Sequence, residues 1–144
     1  MPVVLKKIMA LVIGLVICIS TVAVLEQLNH HFFVPDSANT GDLSDPSVAT
    51  AFMKNLPFAA YLMVLFAWLA GTALGIITAS MLIKRVSRLF VPAITGVMLV
   101  STLANFYLLP HPTWLMIAAV LLIPTVGISC GLLLKRRFIP LATA

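Results

Sequence analysis

Apolar residues fill this chain in four long blocks, and short polar stretches mark where each block begins and ends. The first block extends from about Ile8 to Leu28 and meets no charge before Glu26. The second runs from Pro57 to Ile83, the third from about Leu89 to Leu109, and the fourth from about Thr113 to Leu134. A helix rises about 1.5 Å per residue, so about 20 residues cross a hydrocarbon core of about 30 Å. Each block has that length. The pattern predicts an all-α integral membrane four-helix bundle in which residues 1–144 form a single transmembrane domain.

The third and fourth blocks share one charge-free stretch, and Pro110-His111-Pro112 divides it. Two prolines around one polar residue remove backbone donors and push each preceding residue out of the helical region, so a tight turn is expected there. A single helix through this stretch would be about twice as long as a bilayer is thick. Lys6-Lys7 before the first block resembles the start of a secretory signal. The apolar core that follows is longer than such signals carry, and no small-x-small cleavage site ends it, so a retained span is expected.

The one sizeable polar segment lies between the first two spans, over residues 29–56. Its centre, residues 35–42, reads as irregular loop. Ser44-Asp45-Pro46 then reads as a helix start, with a capping side chain ahead of a first-turn proline. Val48, Ala51, Phe52 and Leu56 follow at helical spacing, which predicts a short amphipathic helix lying on the membrane surface.

Composition turns this pattern into a solvent argument. The chain is 62% hydrophobic and 9% charged, whereas soluble proteins carry roughly 25% charged residues. Folded in water it would expose apolar patches of the kind that aggregate or bind. Its expected partner is therefore the lipid bilayer. The net charge of +5 does not indicate nucleic acid, because the cations cluster at the ends of the apolar blocks. Lys6 and Lys7 precede span one, Lys84, Arg85 and Arg88 join spans two and three, and Lys135, Arg136 and Arg137 follow span four. Four crossings place all of these on one side. Lys54, Glu26, Asp36, Asp42 and Asp45 fall on the other, together with the aromatic residues Phe32, Phe33, Tyr107 and Trp114. The positive-inside rule then puts both termini in the cytoplasm. Cys18 and Cys130 lie inside apolar blocks and read as packing residues without a disulfide.

Helices in lipid associate through small residues, because lipid tails are as apolar as leucine. Ala67, Gly71, Gly75 and Ala79 recur every four residues in span two, Gly127 and Gly131 share that spacing in span four, and Gly14 stands with Cys18 in span one. These stripes are the expected packing surfaces, either within the bundle or toward a second copy or another membrane protein. Pro124 is expected to kink span four and to free the carbonyl of Val120.

Intramembrane ionisable residues are functional candidates, since placing a charge in lipid is unfavourable. Glu26 is the one such residue. His30 follows it by four positions and shares its helix face, while Asn105 and His111 fall at similar depth. Glu26, His30, Asn105 and His111, with His31, Asp36, Lys54 and Trp114 nearby, therefore form a candidate polar cluster at the outer face. Such a cluster suits a proton- or cation-responsive site or a small-ligand pocket. Adjacent histidines point to different faces, so no metal site is expected from Glu26, His30 and His31. No phosphate loop, zinc-protease helix or nucleophile elbow occurs, and neither catalytic residues nor a cofactor are expected.

Leu56-Pro57 opening span two, the Ala67/Gly71/Gly75 stripe, the Lys84-Arg85 turn, and Asn105 followed by Pro110-x-Pro112-x-Trp114 resemble a group of small four-helix bacterial inner-membrane proteins of unassigned function. The resemblance covers spans two to four. It implies a bacterial inner membrane with loop 29–56 in the periplasm, and it carries no activity. Small multidrug resistance transporters also have four short helices and a first-helix glutamate, but theirs lies deep and their loops are short, unlike Glu26 and the long first loop here. The expected function is a non-enzymatic accessory or structural subunit that packs through its small-residue stripes. The alternative is a small oligomeric transporter or channel with an outward entrance at Glu26 and Asn105. An outward-facing sensor is a third reading. Against transport, the inner halves of the spans offer only hydroxyls such as Thr78, Ser80, Thr95 and Ser129.

Overall fold

The computed structural model describes residues 2–34, 45–87 and 89–138. The expected loop at 35–42, Asp36, Asp42, Ser44 and Arg88 lie outside the described residues. Among the described residues five helices follow in order: α1 (Val3–Phe33), α2 (Pro46–Asn55), α3 (Phe58–Leu82), α4 (Phe90–Leu108) and α5 (Thr113–Phe138). All but α2 are long and apolar enough to cross a membrane. Their outward faces carry Val4, Val16, Leu62, Phe66, Val100, Leu103, Leu121 and Leu133, each well exposed. An apolar coat of this extent is at home in hydrocarbon rather than water.

α3 is the hub. It packs most extensively against α1, then against α5 and α4, while α5 also packs on α4. The α1–α3 crossing is close enough to exclude side chains. A Cβ added to Gly75 would stand 2.8 Å from the carbonyl oxygen of Gly14, and one added to Gly71 would stand 2.9 Å from that of Cys18. Backbone meets backbone there, which is how membrane helices gain dispersion contact without a hydrophobic driving force. Ala67 and Ala79 of the same stripe are fully buried. Gly127 and Gly131 of α5 face Thr95 and Val91 of α4.

α1 is longer than its apolar block. Asn29 to Phe33 remain helical, and the His30 carbonyl accepts from the Val34 N–H at 3.1 Å. The expected loop start at residue 29 is thus corrected: a helix satisfies its own backbone whether lipid or water surrounds it, so the polar residues after Leu28 do not end it. α2 begins at the expected cap, where Asp45 Oδ1 accepts from the Ser47 N–H at 2.8 Å and from the Ser47 hydroxyl at 2.6 Å. These bonds hold the exposed Asp45 carboxyl below its ordinary pKa of 3.8. The buried face of α2 differs from the expected one. Ala49 and Met53 are buried and Phe52 and Leu56 partly so, whereas Ala51 is exposed. Met53, Phe52 and Leu56 join the bundle core, and the Tyr61 hydroxyl donates to the Met53 carbonyl, so α2 turns its apolar side to the bundle.

α3 ends in a Schellman turn. The Lys84 N–H reaches the Met81 carbonyl at 3.2 Å and the Arg85 N–H reaches the Ser80 carbonyl at 3.1 Å. Lys84 occupies the left-handed position with φ 52°, a site that glycine fills more readily. α5 runs unbroken through Pro124.

Candidate functional site

At the end of the bundle opposite the Lys84 turn, α1, α3 and α4 part slightly and leave two cavities that share Glu26 and Asn105. The first, about 240 Å³, is lined by Ile19, Val22, Ala23, Glu26, Trp68, Met98, Ser101, Thr102 and Asn105. The second, about 200 Å³, lies toward α2 and the Pro110–Pro112 turn, and Asn29, His30, Phe52, Met53, Tyr61 and His111 contribute to its walls.

Glu26 is brought inward by helical register, since Gly14, Cys18 and Val22 of the same stripe pack on α3. Trp68 lines the first cavity together with Glu26; its indole N–H can only donate and the carboxylate can only accept. Trp68 is only 2% exposed and stands edge-on to Phe106 at 5.6 Å between ring centroids. The Thr72 hydroxyl donates to the Trp68 carbonyl at 2.8 Å.

Around this carboxylate lie polar atoms without partners. The side-chain oxygens of Asn29, Thr102 and Asn105 are buried and make no hydrogen bond. All three residues line one or other cavity. Buried polar groups are ordinarily paired, so such a concentration marks a place where something else can supply donors.

His111 lies between the two prolines and closes the top. Its Nδ1 is 2.8 Å from the Leu109 carbonyl oxygen, which can only accept, so Nδ1 carries the proton. The ring packs on Phe106 at 5.2 Å and Trp68 at 6.3 Å. Burial pushes the imidazole below its ordinary pKa of 6.5, outweighing the carbonyl bond, which acts the other way.

The structure therefore brings Glu26, His30, Asn105 and His111 to one place. Trp114 stands beside them, packed on Phe58 at 5.0 Å and Tyr61 at 6.3 Å. His31 stacks edge-on with its neighbour Phe32 and does not line either cavity; Lys54 is exposed. Among the described residues, no three His, Cys, Asp or Glu side chains gather to hold a metal. Sequence reasoning missed Trp68, Thr102 and Asn29. A signal for Trp68 existed: an indole N–H inside a span needs an acceptor, and Glu26 is the carboxylate within the apolar blocks. For Thr102 none existed, because a helical threonine usually bonds its own backbone.

The small-residue stripe of α3 faces α1 and is occupied by it, so it is not free to receive a partner. A further cavity of about 300 Å³ at the opposite end is lined by Lys6, Lys7, Lys84 and Arg85 with Val3, Leu82 and Ile83. No family model matches the chain, and neither a curated protein nor a solved structure matches it significantly.

Proposed function

We propose that this chain is a non-enzymatic multi-pass protein of a bacterial inner membrane, with both ends in the cytoplasm, and that it acts as a binding module through the Glu26 compartment at its periplasmic end. The pair of cavities sharing Glu26 and Asn105 carries this reading. The charge distribution supports the orientation: Lys6, Lys7, Lys84, Arg85 and the Lys135-Arg136-Arg137 run gather at one end, and Glu26, Asp45 and Lys54 at the other. The resemblance of spans two to four supports the bacterial inner membrane.

Two observations favour binding over the other readings. A subunit docking through the α3 stripe would have to displace α1, which already fills it. A channel would need the compartment to continue inward, but Met98 is the innermost α4 residue lining it and the next turn of α4 holds Ile94, fully buried.

Cysteine labelling in intact bacterial cells tests the reading, with Cys130→Ala removing the partly exposed native thiol. Asn29→Cys is expected to react with a membrane-impermeant maleimide from outside, and Lys84→Cys only after the cells are opened. Labelling of Lys84→Cys in sealed cells, with Asn29→Cys protected, would overturn it.

A further inference from the structure

Resting on the reading of the Glu26 compartment as a binding site, we infer that its ligand is a protonated amine with an apolar carbon skeleton. The ammonium group sits among Glu26, Thr102 and Asn105, and the skeleton fills the neighbouring cavity beneath α2.

The chemistry of the walls selects the charge. Glu26 presents a carboxylate to the first cavity, with Trp68 beside it. Among the described residues, no Lys or Arg lines either cavity. His111 has committed its Nδ1 proton to the Leu109 carbonyl. Besides Ser101 in the first cavity and His30 and Tyr61 in the second, the walls carry oxygens that lack donors: Thr102 Oγ1, Asn105 Oδ1 and, one turn of α1 further along, Asn29 Oδ1.

Thr102 is the most informative of these. Thr21, Thr72 and Thr125 bond their own backbone, at Ile17, Trp68 and Leu121, at 2.7 to 2.8 Å, whereas Thr102, like Thr95 deeper in α4, does not; of these two, only Thr102 lines the cavity with Glu26. Thr102 is 1% exposed. A buried hydroxyl without a partner carries a desolvation cost, which a ligand donor would recover. The assignment does not depend on how the amides are turned, because Glu26 and Thr102 offer oxygen in either case.

The geometry also separates an organic ammonium from a bare metal cation. An ammonium carries three N–H donors, matching carboxylate, hydroxyl and amide oxygens. The adjoining cavity is lined by Phe52, Met53, Leu56, Tyr61 and Val64; a bare ion would leave it unused, whereas a hydrocarbon or aromatic skeleton fills it. Trp68 and Tyr61 place aromatic rings along the two cavities. Together the two cavities reach the range of small-molecule sites, roughly 300–1,000 Å³.

The test uses the purified full chain in detergent and phenethylammonium as the probe, with affinity read by calorimetry and by the shift in melting temperature. Saturable binding is expected. Benzyltrimethylammonium, equally charged but without N–H donors, should bind about tenfold more weakly, and 2-phenylethanol should produce no saturable shift. Glu26→Gln preserves shape and an acceptor for Trp68 but removes the charge, and should weaken binding about tenfold or more. Thr102→Val should melt at or above the wild type without ligand, because its buried hydroxyl bonds nothing, yet bind several-fold more weakly; it decides the matter if Glu26→Gln fails to fold. Equal affinity for the alcohol, or unchanged affinity in folded Glu26→Gln or in Thr102→Val, would overturn the proposal. So would the absence of saturable phenethylammonium binding. If the amine fails while Asn29→Cys is labelled from outside, the ligand class falls and the compartment stands; if Asn29→Cys is protected from outside, the compartment reading itself falls.

Discussion

An indole N–H placed inside an apolar helix must find an acceptor, because hydrocarbon offers none. Trp68 lines the first cavity with Glu26, the one carboxylate of the spans and an acceptor close at hand. His111 completes the residue-scale picture from the turn above, where its ring closes on Trp68 and Phe106. Burial lowers its pKa from 6.5 in the folded chain. The unfolded chain therefore binds a proton first as pH falls, and folding must then exclude it. His111 thus leaves stability intact above pH 6.5 and reduces it as pH drops from there through the folded value. Melting of the detergent-solubilised wild type should fall between about pH 7 and about pH 5 more steeply than that of His111→Gln, which does not titrate. Parallel curves for the two proteins would show that the ring is not held neutral by its surroundings.

At the scale of elements, the α1–α3 crossing carries the sharpest constraint. Gly75 cannot accept a side chain, since its Cβ would meet the Gly14 oxygen and the Cys18 Cβ, each at 2.8 Å. Backbone atoms cannot step aside as the tip of a flexible side chain does. Gly75→Leu should therefore separate α1 from α3 and destabilise the chain by about 1–3 kcal/mol or more. At Gly96 of α4 an added Cβ would have nothing within 4 Å, and Gly96→Ala should leave stability equal or slightly raised, by up to about 1 kcal/mol from helix propensity. Denaturation in mixed micelles measures both. The same crossing explains what the sequence could and could not disclose. Small residues every four positions marked the packing face of α3, because close approach is the one requirement lipid does not also impose. Hydrophobic periodicity marked no inward face on the spans, since Ile94 in the core and Val100 on the coat are equally suited to their surroundings. For α2 a period is present, but the one through Val48 and Ala51 is displaced from the buried Ala49 and Met53. That Glu26, His30, Asn105 and His111 would gather around one cavity was legible from depth and helical spacing. Thr102 was not, because its significance lies in a backbone bond that it does not make.

The whole molecule is polarised along its axis, and this decides how it enters a membrane. Eight of the nine cationic side chains, Lys6, Lys7, Lys84, Arg85, Arg88, Lys135, Arg136 and Arg137, belong to one side of the four crossings, and Lys54 alone to the other. Orientation follows the Lys and Arg bias in short loops near span ends, and acidic residues contribute little to it. Glu26 and Asp45 therefore mark the proposed periplasmic end without enforcing it. Lys6, Lys7, Lys84 and Arg85 also share one cavity lining, so they hold the first two crossings to the same side. Replacing these four with glutamine leaves Lys54 as the only cation before Arg88, so the early part of the chain, which usually dominates orientation, then opposes Arg88 and the Lys135-Arg136-Arg137 run. The quadruple variant should consequently insert in both orientations, read as a C-terminal tag that becomes partly accessible to protease in sealed cells. Lys54→Gln removes the single opposing cation and should leave the tag fully protected. A quadruple variant as fully protected as the wild type would mean that Arg88 and the C-terminal cluster suffice; exposure of the tag in the wild type would invert the bundle and carry the Glu26 compartment to the cytoplasmic side.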